Sequence, residues 1–159
     1  MTGNPTPDDV RWLRHAIDLS RKCPPSPIAY SVGAIIVDAA GNEIASGYSR
    51  DTDPHVHAEE SALSKLERGD PRLATATFYS TLEPCTERRS RPQPCTNLIL
   101  ATGIPQVVIA WREPALFVAD CQGVEQLREA GVTVLEIAKL EQAARTVNTH
   151  LRGIGTQCG

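Results

Sequence analysis

At 159 residues, with 41% hydrophobic residues and a net charge of −3, the chain has the size and composition of one ordinary globular domain with a sizeable core. The slight acidity argues against a large nucleic-acid footprint, which needs a basic face, and aromatics at 4% leave few stacking platforms for single strands. No apolar run reaches the roughly 18–20 residues of a membrane span, and the first residues lack the charged start and apolar core of a secretory signal, so a cytoplasmic location is expected.

Residues 8–22 place Val10, Leu13, Ala16 and Ile17 on one helical face, with acids first and bases last. The run Cys23-Pro24-Pro25-Ser26-Pro27 ends that helix, because proline removes a donor and holds its predecessor extended. Ser31–Asp38 and Glu43–Ser49, joined by a turn at residues 39–42, read as a hairpin. Residues 57–68 carry Ala58, Ala62, Leu63 and Leu66 at helical spacing, so a second helix starts at or near His57. Thr77–Leu82 is a strand rich in β-formers. A short helix from Cys95 stopped at Gly103, a buried strand 106–111, a helix 124–131, a strand 132–137 and a closing helix 139–151 follow. The order α-β-β-α-β-α-β-α-β-α predicts an α/β fold, a three-layer α/β/α sandwich around a mixed five-stranded sheet, antiparallel at the hairpin and parallel where helices cross over. Residues 1–152 are expected to form the single domain and 153–159 a loose tail.

Five cysteines in a reducing compartment point to metal or catalysis before disulfides. His57-Ala58-Glu59 opens one predicted helix, Pro84-Cys85 follows a strand, and Pro94-Cys95 opens another helix. One imidazole and two thiolates suit Zn²⁺ and leave a fourth position open, as in a catalytic site. Helix N-termini favour the thiolate forms. A metal-lowered water pKa provides a hydroxide near neutral pH, and Glu59, not needed as a ligand, can carry protons from that water to the leaving ammonia. His-x-Glu followed by a Pro-Cys and Cys pair is the established signature of the zinc deaminases. The bland alternative, two cysteines as small buried hydrophobes, leaves the paired Pro-Cys motifs unexplained.

These motifs, together with residues 32–37, 57–63, 76–85, 92–95, 103–110 and 127–134, resemble the cytidine deaminase superfamily, above all the pyrimidine deaminase domain of the bifunctional riboflavin-biosynthesis deaminase/reductase. The resemblance runs from about residue 28 to 137 and implies a cytidine deaminase-like fold. It implies His57, Cys85 and Cys95 as zinc ligands, Glu59 as the proton shuttle, and backbone groups beside Ala58 and Cys85 as holders of the ring. The substrate is then a small aminopyrimidine or related heterocycle, with neither nucleic acid nor membrane as partner, and the assembly a homodimer or homotetramer. Nine residues separate the two cysteines, where base-editing, transfer-RNA and cytidine deaminases usually have two, which argues against those relatives.

Several positions depart from the riboflavin enzymes. The usual Asn-Pro-x before Val-Gly reads Ala29-Tyr30-Ser31, without the Asn; the Ser-His after the first cysteine reads Thr86-Glu87; an Asp-Pro-Asn segment reads Glu113-Pro114-Ala115, and the glycine-rich stretch after it Asp120-Cys121-Gln122-Gly123. No reductase segment is expected after the closing helix. An alternative expectation is therefore a deaminase of a free base, nucleoside or secondary metabolite, and one of another class is a non-catalytic zinc- or ligand-binding protein, against which Glu59 counts.

Arg88, Arg89 and Arg91 could read a phosphate or carboxylate through planar bidentate donors, or form a solvated loop. Glu87 could hydrogen-bond a substrate amine or hydroxyl, or pair with a neighbouring arginine. His55 is expected to line the entrance or face water, Glu60 to face solvent or a partner subunit, and Glu83 to fix its loop by accepting backbone donors. Trp111 and Phe117 could stack on a ring, Trp111 reading more simply as core. Cys23, Cys121 and Cys158 are read as packing or surface residues.

Overall fold

The computed structural model describes residues 3–88, 90–114 and 121–151; Arg89, Phe117, Asp120, Cys158 and the expected tail lie outside them. Helix α1 (Pro7–Ser20) begins at a reciprocal cap: Thr6 Oγ1 accepts the Asp9 N–H at 3.1 Å and Asp9 Oδ2 accepts the Thr6 N–H at 2.8 Å. Strands β1 (Gly33–Val37) and β2 (Glu43–Tyr48) form the hairpin. Helix α2 (Ala58–Ser64), strand β3 (Thr77–Leu82), helix α3 (Cys95–Leu100), strand β4 (Gln106–Trp111), helix α4 (Gly123–Glu129), strand β5 (Thr133–Glu136) and helix α5 (Glu141–Thr146) follow.

The sheet order is β2-β1-β3-β4-β5, with β1 antiparallel to both neighbours and β3, β4 and β5 parallel. The expected mixed five-stranded sheet is therefore present. Its strands show their places in the sheet: edge strand β2 alternates buried and less buried positions, whereas the interior β4 is almost continuously buried. Gly33 and Gly47 place the helices on opposite faces. A Cβ on Gly33 would stand 1.9 Å from the Ala16 carbonyl oxygen of α1, and one on Gly47 would stand 2.7 Å from the Ala62 nitrogen of α2. Neighbours along a strand point to opposite faces, and Ala34 pairs with both Gly47 and Ser80. Ser80 consequently faces α2, while Tyr79 faces α1 and donates its hydroxyl to Asp9 Oδ1 at 2.7 Å.

Two predicted helices are shorter than their hydrophobic pattern. Helix α2 stops at Ser64 because Lys65 and Leu66 donate to carbonyls three residues back, tightening the chain into a turn, and Lys65 Nζ reaches across to the Ser46 carbonyl at 2.7 Å. The closing helix is interrupted by 3₁₀ geometry at Ala138–Leu140, and past its end Asn148 leaves the pattern to clamp Ser31: its Oδ1 accepts the Ser31 N–H at 2.7 Å and its Nδ2 donates to the Ser31 carbonyl at 3.1 Å. A 3₁₀ turn at Pro71–Thr75 adds a step that hydrophobic periodicity does not reveal. Among the described residues no helix is long and apolar enough to cross a membrane.

The topology brings several segments to one edge. The carboxyl ends of parallel β3 and β4 lie beside the start of β1 and the end of β2, since Gly33 pairs with Tyr48, Ala34 with Ser80 and Leu82 with Trp111. Ligand sites of open α/β sheets lie outside the carboxyl ends of such strands.

Candidate active site

At that edge opens a cavity of about 740 Å³, with Tyr30, Arg50, His55, Glu59, Glu87 and Glu113 among its walls. His57 sits at the N-cap of α2, Cys85 three residues past β3, and Cys95 at the first position of α3. The fold draws the three together: their ligand atoms lie within 4.8 Å of one another, with His57 Nδ1 3.6 Å from Cys85 Sγ and 3.4 Å from Cys95 Sγ. A tetrahedral ion with sulfur at about 2.3 Å and nitrogen at about 2.0 Å would separate neighbouring sulfur and nitrogen by about 3.5 Å. Donor set and spacing thus fit zinc, and three donors leave room for a fourth.

The α3 terminus is built to meet these donors. The Cys95 amide donates to Cys85 Sγ at 3.3 Å, Thr96 donates its amide to the Cys85 carbonyl at 3.1 Å, and its hydroxyl donates to the Pro84 carbonyl at 3.2 Å. The Cys95 thiol and amide, with the His57 imidazole, hold Cys85 far below the ordinary thiol range, at about 4. The Cys85 sulfur and burial together push Cys95 up. Burial alone would lower His57, but the Cys85 sulfur beside it prevails and raises it. Zinc binds imidazole and thiolate in their deprotonated forms, so capture of the ion by these three residues would release protons.

Glu59, in the first turn of α2, is 4% exposed and lines the cavity. Burial raises its carboxyl above the usual range, while the His57 imidazole and the Ser80 hydroxyl oppose that rise. Ser80 Oγ donates to Glu59 Oε1 at 2.7 Å and also lies 2.9 Å from the Leu82 carbonyl. Sequence reasoning missed Ser80; its signal was a small polar residue in a strand otherwise filled by β-formers.

Glu83 does what its place before Pro84 suggested. Its Oε1 accepts the Glu113 amide at 3.0 Å and its Oε2 the Val124 amide at 2.9 Å, so one buried carboxylate ties the Cys85 loop to the end of β4 and the start of α4. Gly123 permits the approach, since a Cβ there would stand 2.3 Å from the Pro84 carbonyl oxygen. Glu113 lies in the wall with its carboxyl held up to about 7, chiefly by burial. Arg50, absent from the sequence reasoning, adopts a positive φ of 61° and donates to the Pro24 and Tyr30 carbonyls and to Ser31 Oγ, pinning the proline-rich loop as another wall.

Arg88 and Arg91 are engaged by protein acceptors. Arg88 donates to Glu60 Oε1 at 3.1 Å and to the His55 carbonyl at 2.9 Å; Arg91 donates to Glu60 Oε2 at 3.3 Å and pairs with Asp53. Glu60, expected to face solvent or a partner, is the centre of this cluster. Glu87 and His55 are exposed in the cavity wall, and Trp111 is buried in the core. Cys23 is partly buried against the Val32 carbonyl, and Cys121 against that of Pro84.

Residues 6–111, which include His57, Glu59, Cys85 and Cys95, match the family model of the cytidine and deoxycytidylate deaminase zinc-binding region. The chain belongs to that family. Within it, the chain is similar to the diaminohydroxyphosphoribosylamino-pyrimidine deaminase of Schizosaccharomyces pombe, 39% identical over 127 residues that cover 79% of this chain and 31% of that protein. It is also similar to the riboflavin biosynthesis protein RibD of Aquifex aeolicus, 35% identical over 144 residues, 88% of this chain and 37% of that one. The chain therefore spans about a third of the length of these relatives. Among solved structures, the Rib2 deaminase of Aspergillus oryzae superposes with a TM-score of 0.80 at 25% identity, covering 92% of this chain and 94% of that one. The Thermotoga maritima deaminase/reductase superposes with a TM-score of 0.73 at 33% identity, covering 88% of this chain and 39% of that one. The mixed sheet with its helices is thus the fold of this deaminase family.

Proposed function

We propose that this chain is a zinc-dependent hydrolytic deaminase that replaces an exocyclic amine on a pyrimidine-type ring by a carbonyl and releases ammonia. The leading substrate is the diaminopyrimidine phosphate of the riboflavin pathway. The observation that carries the reading is the meeting of His57, Cys85 and Cys95 beside a buried, non-ligating Glu59 at the cavity. The relatives' names supply the ring, and the Aspergillus oryzae Rib2 deaminase has been solved in complex with DARIPP.

In this reading His57 Nδ1, Cys85 Sγ and Cys95 Sγ hold the ion. Zinc, when bound there, supplies a water whose pKa is lowered to about 7. Glu59 takes a proton from the attacking water, passes it to the ring nitrogen next to the reacting carbon, and takes the second for the departing amine, so that amine plus water becomes carbonyl plus ammonia. Ser80 holds Glu59 Oε1 during these transfers. Backbone groups beside Ala58 and Cys85 hold the ring, with Glu87 reading a substrate donor from the wall. Arg88 and Arg91, named with Arg89 as candidate phosphate readers, are engaged by Glu60 and Asp53, so the phosphate-reading proposal falls to Arg89, which lies outside the described residues. Assembly as a homodimer or homotetramer in the cytoplasm belongs to the same proposal.

A second reading, a free base, nucleoside or secondary metabolite as substrate, is favoured by one observation: Arg88 and Arg91 direct donors to Glu60 and Asp53. Ammonia release by zinc-loaded protein separates the two. The panel comprises the riboflavin diaminopyrimidine phosphate, its dephosphorylated form, cytosine, cytidine and guanine, with Glu59→Ala as control. Turnover of the phosphorylated compound alone supports the leading reading; turnover of an unphosphorylated compound alone supports the second. Turnover that survives in Glu59→Ala would remove the mechanism.

A further inference from the structure

The cavity wall contains a device that the deamination chemistry does not use. Arg88 carries a charged side chain that is 3% exposed. Its two terminal nitrogens are spent on Glu60, the His55 carbonyl and Ser90 Oγ, the last at 3.3 Å, while its Nε has no acceptor among the described residues. A guanidinium stays out of water only where a carboxylate balances it, and here that carboxylate is Glu60. The same Glu60 accepts the His57 amide at 3.4 Å and binds Arg91, which in turn pairs with Asp53. One side chain thus joins the segment before His57, the first turn of α2 and the loop between the two cysteines. His55, Glu59, Glu87, Arg88 and Ser90, from all three segments, line one cavity.

We propose that the Glu60–Arg88 pair is an interlock that holds the loop between the cysteines down as a fixed wall of the substrate cavity. Glu60 is a positioning residue that acts through Arg88 and sets which substrates fit, leaving the proton transfers to Glu59. The inference rests on this cavity being the substrate site. It also accounts for two arginines in a loop that flanks the metal donors without requiring either to contact the substrate.

The test uses the full, zinc-loaded chain as wild type, Glu60→Gln, Arg88→Met and the double variant. Glutamine retains an oxygen for the His57 amide and removes only the charge, and Arg88→Met leaves Glu60 paired with Arg91, so a stable variant is available on each side of the pair. Amide exchange of residues 86–88, 90, 91 and 93 is expected to accelerate about tenfold or more in either single variant and no further in the double, the signature of two residues acting through one another. KM for the diaminopyrimidine phosphate should rise about tenfold while kcat stays within about threefold, a loss of binding rather than of chemistry. Zinc should remain at one per chain. Unchanged exchange in either single variant, effects that multiply in the double, or a loss confined to kcat would each overturn the interlock. If wild type turns over no compound of the panel, the proposed function fails while the exchange measurement still decides the interlock.

Discussion

Glu59 and His57 are two residues apart in sequence yet meet different fates, because one points to the thiolates and the other into the wall beside Ser80. In the proposed mechanism that separation of metal donor from proton carrier makes Glu59 the most informative single position. Glu59→Gln is expected to lower kcat on the order of 10³-fold with zinc stoichiometry unchanged, read by ammonia release and metal analysis on the same samples. Glu113 offers a test by pH. Its carboxyl sits near 7 in the folded chain against an ordinary 4.5, so between these values the folded state binds more protons than the unfolded one. Stability from this group is full below about 4.5 and is lost as pH rises to about 7. Denaturant midpoints of wild type and Glu113→Gln should therefore diverge across that window, wild type declining relative to the variant, and run parallel above it. Parallel curves throughout would show that Glu113 titrates normally.

At the scale of elements, the site depends on how closely α2 lies on β2. Gly47 has no room for a methyl group: a Cβ would meet the Ala62 nitrogen and Ser61 Cβ at 2.7 Å and the Ala58 carbonyl oxygen at 2.8 Å, and backbone cannot rotate aside. Gly47→Ala should cost about 1–3 kcal/mol in a urea titration and should reduce activity as well, because the displaced helix carries Glu59. Glu83 links β4, α4 and the Cys85 loop in the same way. Glu83→Ala orphans two amides and should cost on the order of 2 kcal/mol, whereas Glu83→Gln, which keeps one acceptor, should lose less. Strand positions were legible from alternation and β-branched runs, and helix starts from caps and prolines, because those signals are local. Helix ends were less so: α2 stops where Lys65 finds Ser46 and Asp51, and the closing helix yields where Asn148 finds Ser31, partners that no window of neighbouring residues contains.

At the scale of the molecule, the proposed metal donors join α2, α3 and the loop after β3, so occupancy should be felt throughout the fold. Removing zinc with a chelator is expected to lower the thermal midpoint on the order of 10 °C, since a ligand present at a thousand times its Kd contributes about 4 kcal/mol. An unmoved midpoint, with metal loss verified, would place the ion outside the folded core.

The sequence by itself determined the order and type of the elements, and the spacing of His57, Glu59, Cys85 and Cys95 already specified a zinc deaminase signature. Both rest on short-range chemistry: periodicity, caps, and residue types that a metal or a proton transfer requires. Tertiary structure alone decided which distant charged and polar groups pair with one another. Glu60 takes Arg88 from 28 positions away, Ser80 takes Glu59 from 21, and Asn148 takes Ser31 from 117. Such pairs are chosen by which side chains the packed sheet leaves adjacent and out of water, where an unpartnered polar group is too unfavourable to persist.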